Sequence, residues 1–301
     1  MGRWTRRILI AAGTVAGIAA LAAGGVYAAS EMQLRRTYEV AERPLAVRPD
    51  PATLEQGRHL ATAIGKCSDC HGEGLGGKTF IDDAALGVIQ APNLTPGLGG
   101  VKDWSDAELE RAIRHGVAPT GRALLAMPSA EFYHLSDRDL ESLVAYLRSL
   151  PPVDRDLPAS ALGPLGRALL VSGKLPILAA AQIDHAAPRP AAPAPGVTRE
   201  YGEYLATVGG CRGCHGPELV GGPIAGTPPD WPPAANLTPA AIGRWTEADF
   251  VRAMRGGKRP DGTDIRAPYM PWPLAGQMTD DELRAVWIYL QDVPAKETPK
   301  A

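Results

Sequence analysis

The chain has 301 residues, enough for two domains of ordinary size, and its formal net charge of −2 gives no electrostatic footprint for nucleic acid. With 45% hydrophobic residues and three phenylalanines, each domain would have a thin core. The 34 glycines and 29 prolines predict many turns and little regular sheet.

At the N-terminus Arg3, Arg6 and Arg7 precede ILIAAGTVAGIAALAAGGVYAA, residues 8–29. These 22 uncharged, mostly apolar residues suffice to cross a bilayer core of about 30 Å. The arginines should remain in the cytoplasm, so that the rest of the chain is exported. A cleaved signal peptide is the competing reading, with Val26-Tyr27-Ala28 as its cleavage site. The apolar run exceeds the roughly 7–15 residues of an h-region, which favours a retained anchor over residues 1–30.

A first unit follows at 51–153. QGRHLATAIGKCSDCHG (56–72) predicts a short helix ending at Cys67, Cys70 and His71. APNLTP (91–96) reads as a turn around Asn93. A helix begins after Trp104, capped by Ser105 with Glu108 three places on, and turns Leu109, Ala112 and Ile113 inward. LLAMPS carries Met127. In the last helix Leu140, Leu143, Val144 and Leu147 fall at i, i+3, i+4 and i+7. Ser136 caps it with Asp139, an imperfect capping box because Asp is shorter than Glu, and Pro151 stops it.

Residues 154–195 read as a linker. Its apolar stretch LGPLGRALLVSGKLPILAAAQI is broken by Arg167, Lys174 and Pro176 and does not span a membrane. A helix packed between domains is favoured over a strip on the membrane or a partner. AAPRPAAPAPG (186–196) is a semi-rigid spacer, and His185 reads as an ordinary linker residue.

The second unit, 196–295, repeats the first in order and spacing. YGEYLATVGGCRGCHG (201–216) is one residue shorter before its first cysteine; AANLTP, WTEADFVRAMRGG and MTDDELRAVWIYLQDVP follow. It supplies Cys211, Cys214, His215 and Met270, a terminal stripe of Leu283, Val286, Trp287 and Leu290, and a full capping pair in Thr279 and Glu282. Both units read as all-helical. RAMRGGKRP (252–260) is a local basic run, read first as a solvated face and second as a docking patch for an acidic partner.

Three chemistries compete for Cys-x-x-Cys-His. In covalent haem attachment, cysteines three apart bond two vinyl groups on one porphyrin edge, and the adjoining histidine ligates the iron. Zinc wants four ligands, usually as two separated pairs, whereas each cluster here is complete in itself. A redox dithiol normally follows a strand in a thioredoxin-like fold, and no such alternation is visible. Haem is favoured because the five-residue motif is specific and occurs twice, consuming all four cysteines of an exported chain.

A filled sixth position makes an electron carrier; an open one allows catalysis. Met127 lies 56 residues after His71 and Met270 lies 55 after His215, each followed by proline. Met254 and Met278 fall on packing positions. His59, His115 and His134 align with Glu203, Gly256 and Gln277, so no histidine repeats as a second ligand. His59 reads as an exposed helix residue, and His115 as a helix-end cation.

Cys-x-x-Cys-His, Asn-Leu-Thr-Pro, the Trp-led helix, Met-Pro and the terminal Tyr-Leu helix together resemble the class I cytochrome c domain. More narrowly, the chain resembles the membrane-anchored cytochrome c subunits of periplasmic alcohol, aldehyde and sugar-acid dehydrogenases, which commonly have three haem domains where this chain has two. The resemblance covers about two thirds of the chain. It implies an all-α protein of two tandem class I cytochrome c domains after an N-terminal transmembrane helix. It implies two covalently bound haem c groups, on Cys67 and Cys70 and on Cys211 and Cys214, with His71 and Met127, and His215 and Met270, as axial iron ligands. It further implies crossing first and last helices, with Gly57 and Gly202 close to Tyr146 and Tyr289, and Trp104 and Trp245 walling the haem. The implied function is electron transfer, not catalysis, at the periplasmic face of the inner membrane, from a dehydrogenase to a respiratory-chain oxidase or a cytochrome. A dihaem peroxidase is the alternative, disfavoured by the retained methionines; a thiosulfate dehydrogenase with an extra cysteine ligand is disfavoured because no fifth cysteine exists.

Overall fold

The structure, a computed structural model, describes residues 2–188, 191–228 and 230–299. Helix α1 spans Arg3–Arg35, about 50 Å at 1.5 Å per residue, which exceeds a bilayer core. Its apolar stretch is exposed over most of its length. The last turns are not: Ser30 is fully buried and Leu34 packs against a small apolar cluster. An extended strap then crosses the first unit, with the Tyr38 amide donating to Gly121 O at 2.9 Å and Ala46 N to Glu141 Oε1 at 2.9 Å.

The first unit begins with α2, Pro51–His59, capped by the Asp50 carboxylate, which accepts from Ala52 N and Thr53 N. The helix runs on as a π-turn over Leu60–Ile64. This turn absorbs the extra residue that the first unit carries before its cysteines. Gly65 N donates five residues back to Leu60 O (2.7 Å), whereas Gly209 N in the second unit donates four back to Leu205 O (2.8 Å). Next come α3 (Cys67–His71), strands β1 (Lys78–Asp83) and β2 (Gly87–Ala91), then α4 (Asp106–His115), α5 (Ser129–Phe132) and α6 (Asp137–Ser149). Ser105 and Glu108 form the expected capping box; Ser136 caps α6 without the reciprocal bond, because its amide donates to Tyr204 Oη (3.1 Å) and the Asp139 carboxylate accepts from Tyr204, whereas the equally short Asp249 does complete the box with Thr246.

The linker contributes β3 (Ala161–Leu162) and α7 (Pro164–Val171). β3 pairs with β2, completing a three-stranded antiparallel sheet in the order β1-β2-β3. The fold is mostly helical as expected, and the first unit adds a small hairpin to it, closed where Asp83 accepts from Ala85 N and Leu86 N. Helix α7 packs against the foot of α1, not between the two units. Arg167 donates to Ser30 Oγ (2.8 Å) and Glu31 Oε2 (3.0 Å) and lies 4.3 Å from the Tyr27 ring centroid.

The second unit comprises α8 (Arg199–Val208), α9 (Cys211–His215), α10 (Pro239–Ile242), α11 (Glu247–Gly256), α12 (Trp272–Ala275) and α13 (Asp280–Asp292). Helices α2 and α6 cross at Gly57, and α8 and α13 cross at Gly202. A β-carbon would sit 2.0 Å from Ser142 O at Gly57 and 1.9 Å from Ala285 O at Gly202, so only glycine permits the crossings. One apolar cluster runs through both units, from Leu60, Ile64 and Leu143 to Leu205, Leu283 and Leu290. His59, expected on an exposed face, is instead half-buried and bonds Glu282 at the start of α13 of the second unit at 2.8 Å.

Candidate cofactor sites

Each Cys-x-x-Cys-His turn is set by backbone geometry. The residue before the first cysteine is left-handed, Lys66 at φ 50° and Gly210 at φ 70°, and the glycine after each histidine is too, at 77° and 80°. These bends release α3 and α9 from the helices before them. They turn His71 and His215 inward to 7% and 8% exposure. His71 Nδ1 lies 2.8 Å from Pro92 O and His215 Nδ1 lies 2.7 Å from Ala235 O. A carbonyl only accepts, so Nδ1 carries the proton and each Nε2 is left with a free lone pair. Burial holds both imidazoles below their usual pKa, which keeps that lone pair available.

Burial pushes the Cys67 and Cys70 thiols up to about 11, and raises Cys211 and Cys214 as well. Among the described residues no group of three or more His, Cys, Asp or Glu forms a metal cage, so neither motif has the four convergent ligands that a structural zinc site needs.

Met127 lies on a turn closed by Ser129 N donating to Met127 O, and Met270 on the same turn closed by Trp272 N donating to Met270 O, both at 2.8 Å. In the first unit Cys67, Cys70, His71 and Met127 line one cavity of about 390 Å³. Its walls include Trp104, Ile113, Leu124, Phe132 and Leu143. A mostly apolar cleft of this size with a few convergent donors fits a planar cofactor anchored at the cysteines and held from both faces. The second unit repeats the histidine and methionine turns and the half-buried Trp245.

Several residues had roles that the sequence reading missed or undervalued. Asn93 and Asn236 do make turns, each accepting from the amide two residues on, Thr95 N and Thr238 N. Each also ties down the chain after the last helix: Asn93 Nδ2 donates to Val153 O (2.6 Å), Asn236 Nδ2 to Lys296 O (2.7 Å). Arg114, fully buried, donates to Leu135 O and pairs with Asp137; Arg255 likewise reaches Gly276 O and Asp280. These arginines fix the start of the terminal helix to the middle one, and their equal places in RAIRHG and RAMRGG were the available signal. His185, read as ordinary, lies with Nδ1 2.9 Å from Nδ1 of His115, which ends α4 as expected and is buried there. In the basic run, Arg252, Arg255 and Lys258 pair with Asp249, Asp280 and Asp264, which fits a solvated face better than a docking patch.

Comparison with known proteins agrees with this geometry. The family described as cytochrome C oxidase, cbb3-type, subunit III matches residues 52–147, and the cytochrome c family matches residues 200–294. A protein of Cereibacter sphaeroides named diheme cytochrome c-type is 30% identical over 264 residues, 77% of this chain and 83% of that protein. The gluconate 2-dehydrogenase cytochrome c subunit of Pantoea cypripedii is 29% identical over 82% of this chain, and the fructose dehydrogenase cytochrome subunit of Gluconobacter japonicus is 27% identical over 84%. The chain spans 60% and 56% of those two relatives.

Proposed function

We propose a route for electrons through this chain, which belongs to the dihaem c-type cytochromes, carries two covalently bound haem c groups and is an electron carrier, not a catalyst. In our reading Cys67 and Cys70 anchor one haem and Cys211 and Cys214 the other. His71 and Met127 cap the first iron, His215 and Met270 the second. Haem c supplies a one-electron iron couple. The protein contributes the rest. The buried histidines present Nε2 in a fixed orientation because Pro92 O and Ala235 O hold the other nitrogen. The thioethers are neutral, soft donors that favour the reduced state, and the apolar cavity wall further disfavours added charge. With both faces capped, no position is open to substrate, which argues against peroxide chemistry.

The observation that carries this reading is the duplication of the whole donor set, with each methionine on the same turn before the last helix. The ferric protein should show the weak near-infrared sulfur-to-iron band. Met127→Ala and Met270→Ala should each remove about half of it, and retention of the full band in the double variant would refute the assignment.

We further propose that the donor is a dehydrogenase and that α1 stays in the inner membrane, with both haem units at the periplasmic face and an oxidase or another cytochrome as acceptor. The uncovered apolar length of α1 and the engagement of its foot by Arg167 support the anchor. The named dehydrogenase subunits among the relatives support the donor. Mild extraction of native membranes should bring a dehydrogenase down with the cytochrome, and the chain should retain residues 1–30; a soluble cytochrome starting after Ala28 would overturn the anchor.

A further inference from the structure

The repeat provides an internal control at the residue before each first cysteine. Both positions are left-handed. The second unit uses Gly210, for which that conformation is unstrained, whereas the first uses Lys66 at φ 50°. A lysine is retained there against its backbone preference, and such strain marks positions held by their surroundings. The side chain explains it. Part of Lys66 meets solvent, but its ammonium turns inward and donates to Ile64 O at 2.8 Å and, across the boundary between units, to Gly209 O at 2.6 Å. Both acceptors are neutral carbonyls, so two donors are satisfied while the positive charge is left uncancelled by them. Burial lowers the Lys66 pKa against the fields of the cysteines and Asp69, and the ammonium sits between the two attachment turns: Lys66 immediately precedes Cys67, and Gly209 lies two residues before Cys211. Glu131 of α5 faces the same junction, where a β-carbon on Gly213 would lie 2.7 Å from its Oε1.

We propose that Lys66 is a positioning residue shared by the two haem sites: its ammonium, clamped between Ile64 O and Gly209 O, sets the approach of the two attachment turns and raises both reduction potentials together. This rests on the assignment of the four cysteines as haem anchors. A cation in a low-dielectric junction stabilises added electrons on either side, and Glu131 opposes it.

The test is a spectroelectrochemical titration of the full-length holoprotein carrying Lys66→Gly, Lys66→Met or Lys66→Arg. Lys66→Gly copies the second unit's own solution and relieves the strain, so it keeps the fold if Lys66→Met does not. Both neutral variants should weaken reduction of each haem about tenfold, 59 mV for a one-electron couple. Lys66→Arg should stay near the parent, and Glu131→Gln should shift both potentials the other way. Unchanged potentials in Lys66→Gly at full haem content, or a shift at one haem alone, would overturn the proposal. Absence of covalent haem from the parent protein would instead sink the cysteine assignment on which it rests.

Discussion

The two cytochrome units share a scaffold but brace their methionine loops differently. In the first unit the loop is strapped on several sides. Tyr38 N donates to Gly121 O, Thr37 bridges Arg122, and Ala126 N donates to Ile177 O of the linker. Met127 itself packs against the main apolar cluster. In the second unit residues 260–264 are all exposed. The loop is held from within its own unit, with Trp272 Nε1 donating to Ile265 O and Tyr269 meeting Trp231 edge-on at 4.7 Å. The difference follows from chain order. Only the first unit has an N-terminal strap before it and a linker after it to fold back over the cofactor site. The same proposed ligand set is therefore strapped by the N-terminal segment and linker in one copy and braced from within the unit in the other.

The largest effect should fall on what the units share. Gly57→Ala and Gly202→Ala each drive a methyl group into backbone of the partner helix, and each should cost about 3 kcal/mol or more in denaturant unfolding. A loss confined to one glycine would break the equivalence of the two crossings. Polar ties should separate the units. Asn93 is 1% exposed and bonds Val153 O, Leu98 O and the Thr95 amide, so Asn93→Ala should cost about 2–3 kcal/mol. Asn236 is half-buried with fewer partners, and Asn236→Ala should cost about 1 kcal/mol, measured in the same way.

The contrast in bracing has a kinetic consequence. Under the proposed ligation cyanide must displace a methionine to bind ferric iron, and it should do so about fivefold faster in the second unit, the weight of one hydrogen bond of about 1 kcal/mol. Stopped-flow mixing with the Met127→Ala and Met270→Ala proteins as references assigns the phases; equal rates would remove the distinction.

The smallest effect is acid weakening of the contact between units. Burial alone would raise the Glu282 carboxyl, but the His59 hydrogen bond and the Thr279 amide outweigh it and hold the group below its usual range. A depressed carboxyl contributes stability that is present above its unfolded pKa of about 4.3 and lost as pH falls through the folded value. Unfolding midpoints of the parent and Glu282→Gln should therefore differ at neutral pH and converge in acid.

Much of this was legible because the chain says it twice. The helix caps at Ser105, Thr246 and Thr279, the crossings at Gly57 and Gly202, and the pairing of Met127 with Met270 all stand at matched positions. What escaped lies where the copies diverge or where distant segments meet. Among the described residues the β1-β2 hairpin has no counterpart strand pair in the second unit beyond a single bridge between Gly222 and Ala234. The π-turn was visible only as one surplus residue. His59, His115 and His185 had no repeated partner, and their contacts with Glu282 and with each other depend on packing that no local period encodes.

The central claim is covalent attachment of a haem at each Cys-x-x-Cys-His turn. Mass analysis of acid-denatured, solvent-extracted protein, followed by proteolysis, tests it most directly. The account predicts a polypeptide heavier by two haems, one on the fragment holding residues 67–71 and one on that holding 211–215. A bare polypeptide mass, with all pigment in the organic phase, would contradict it.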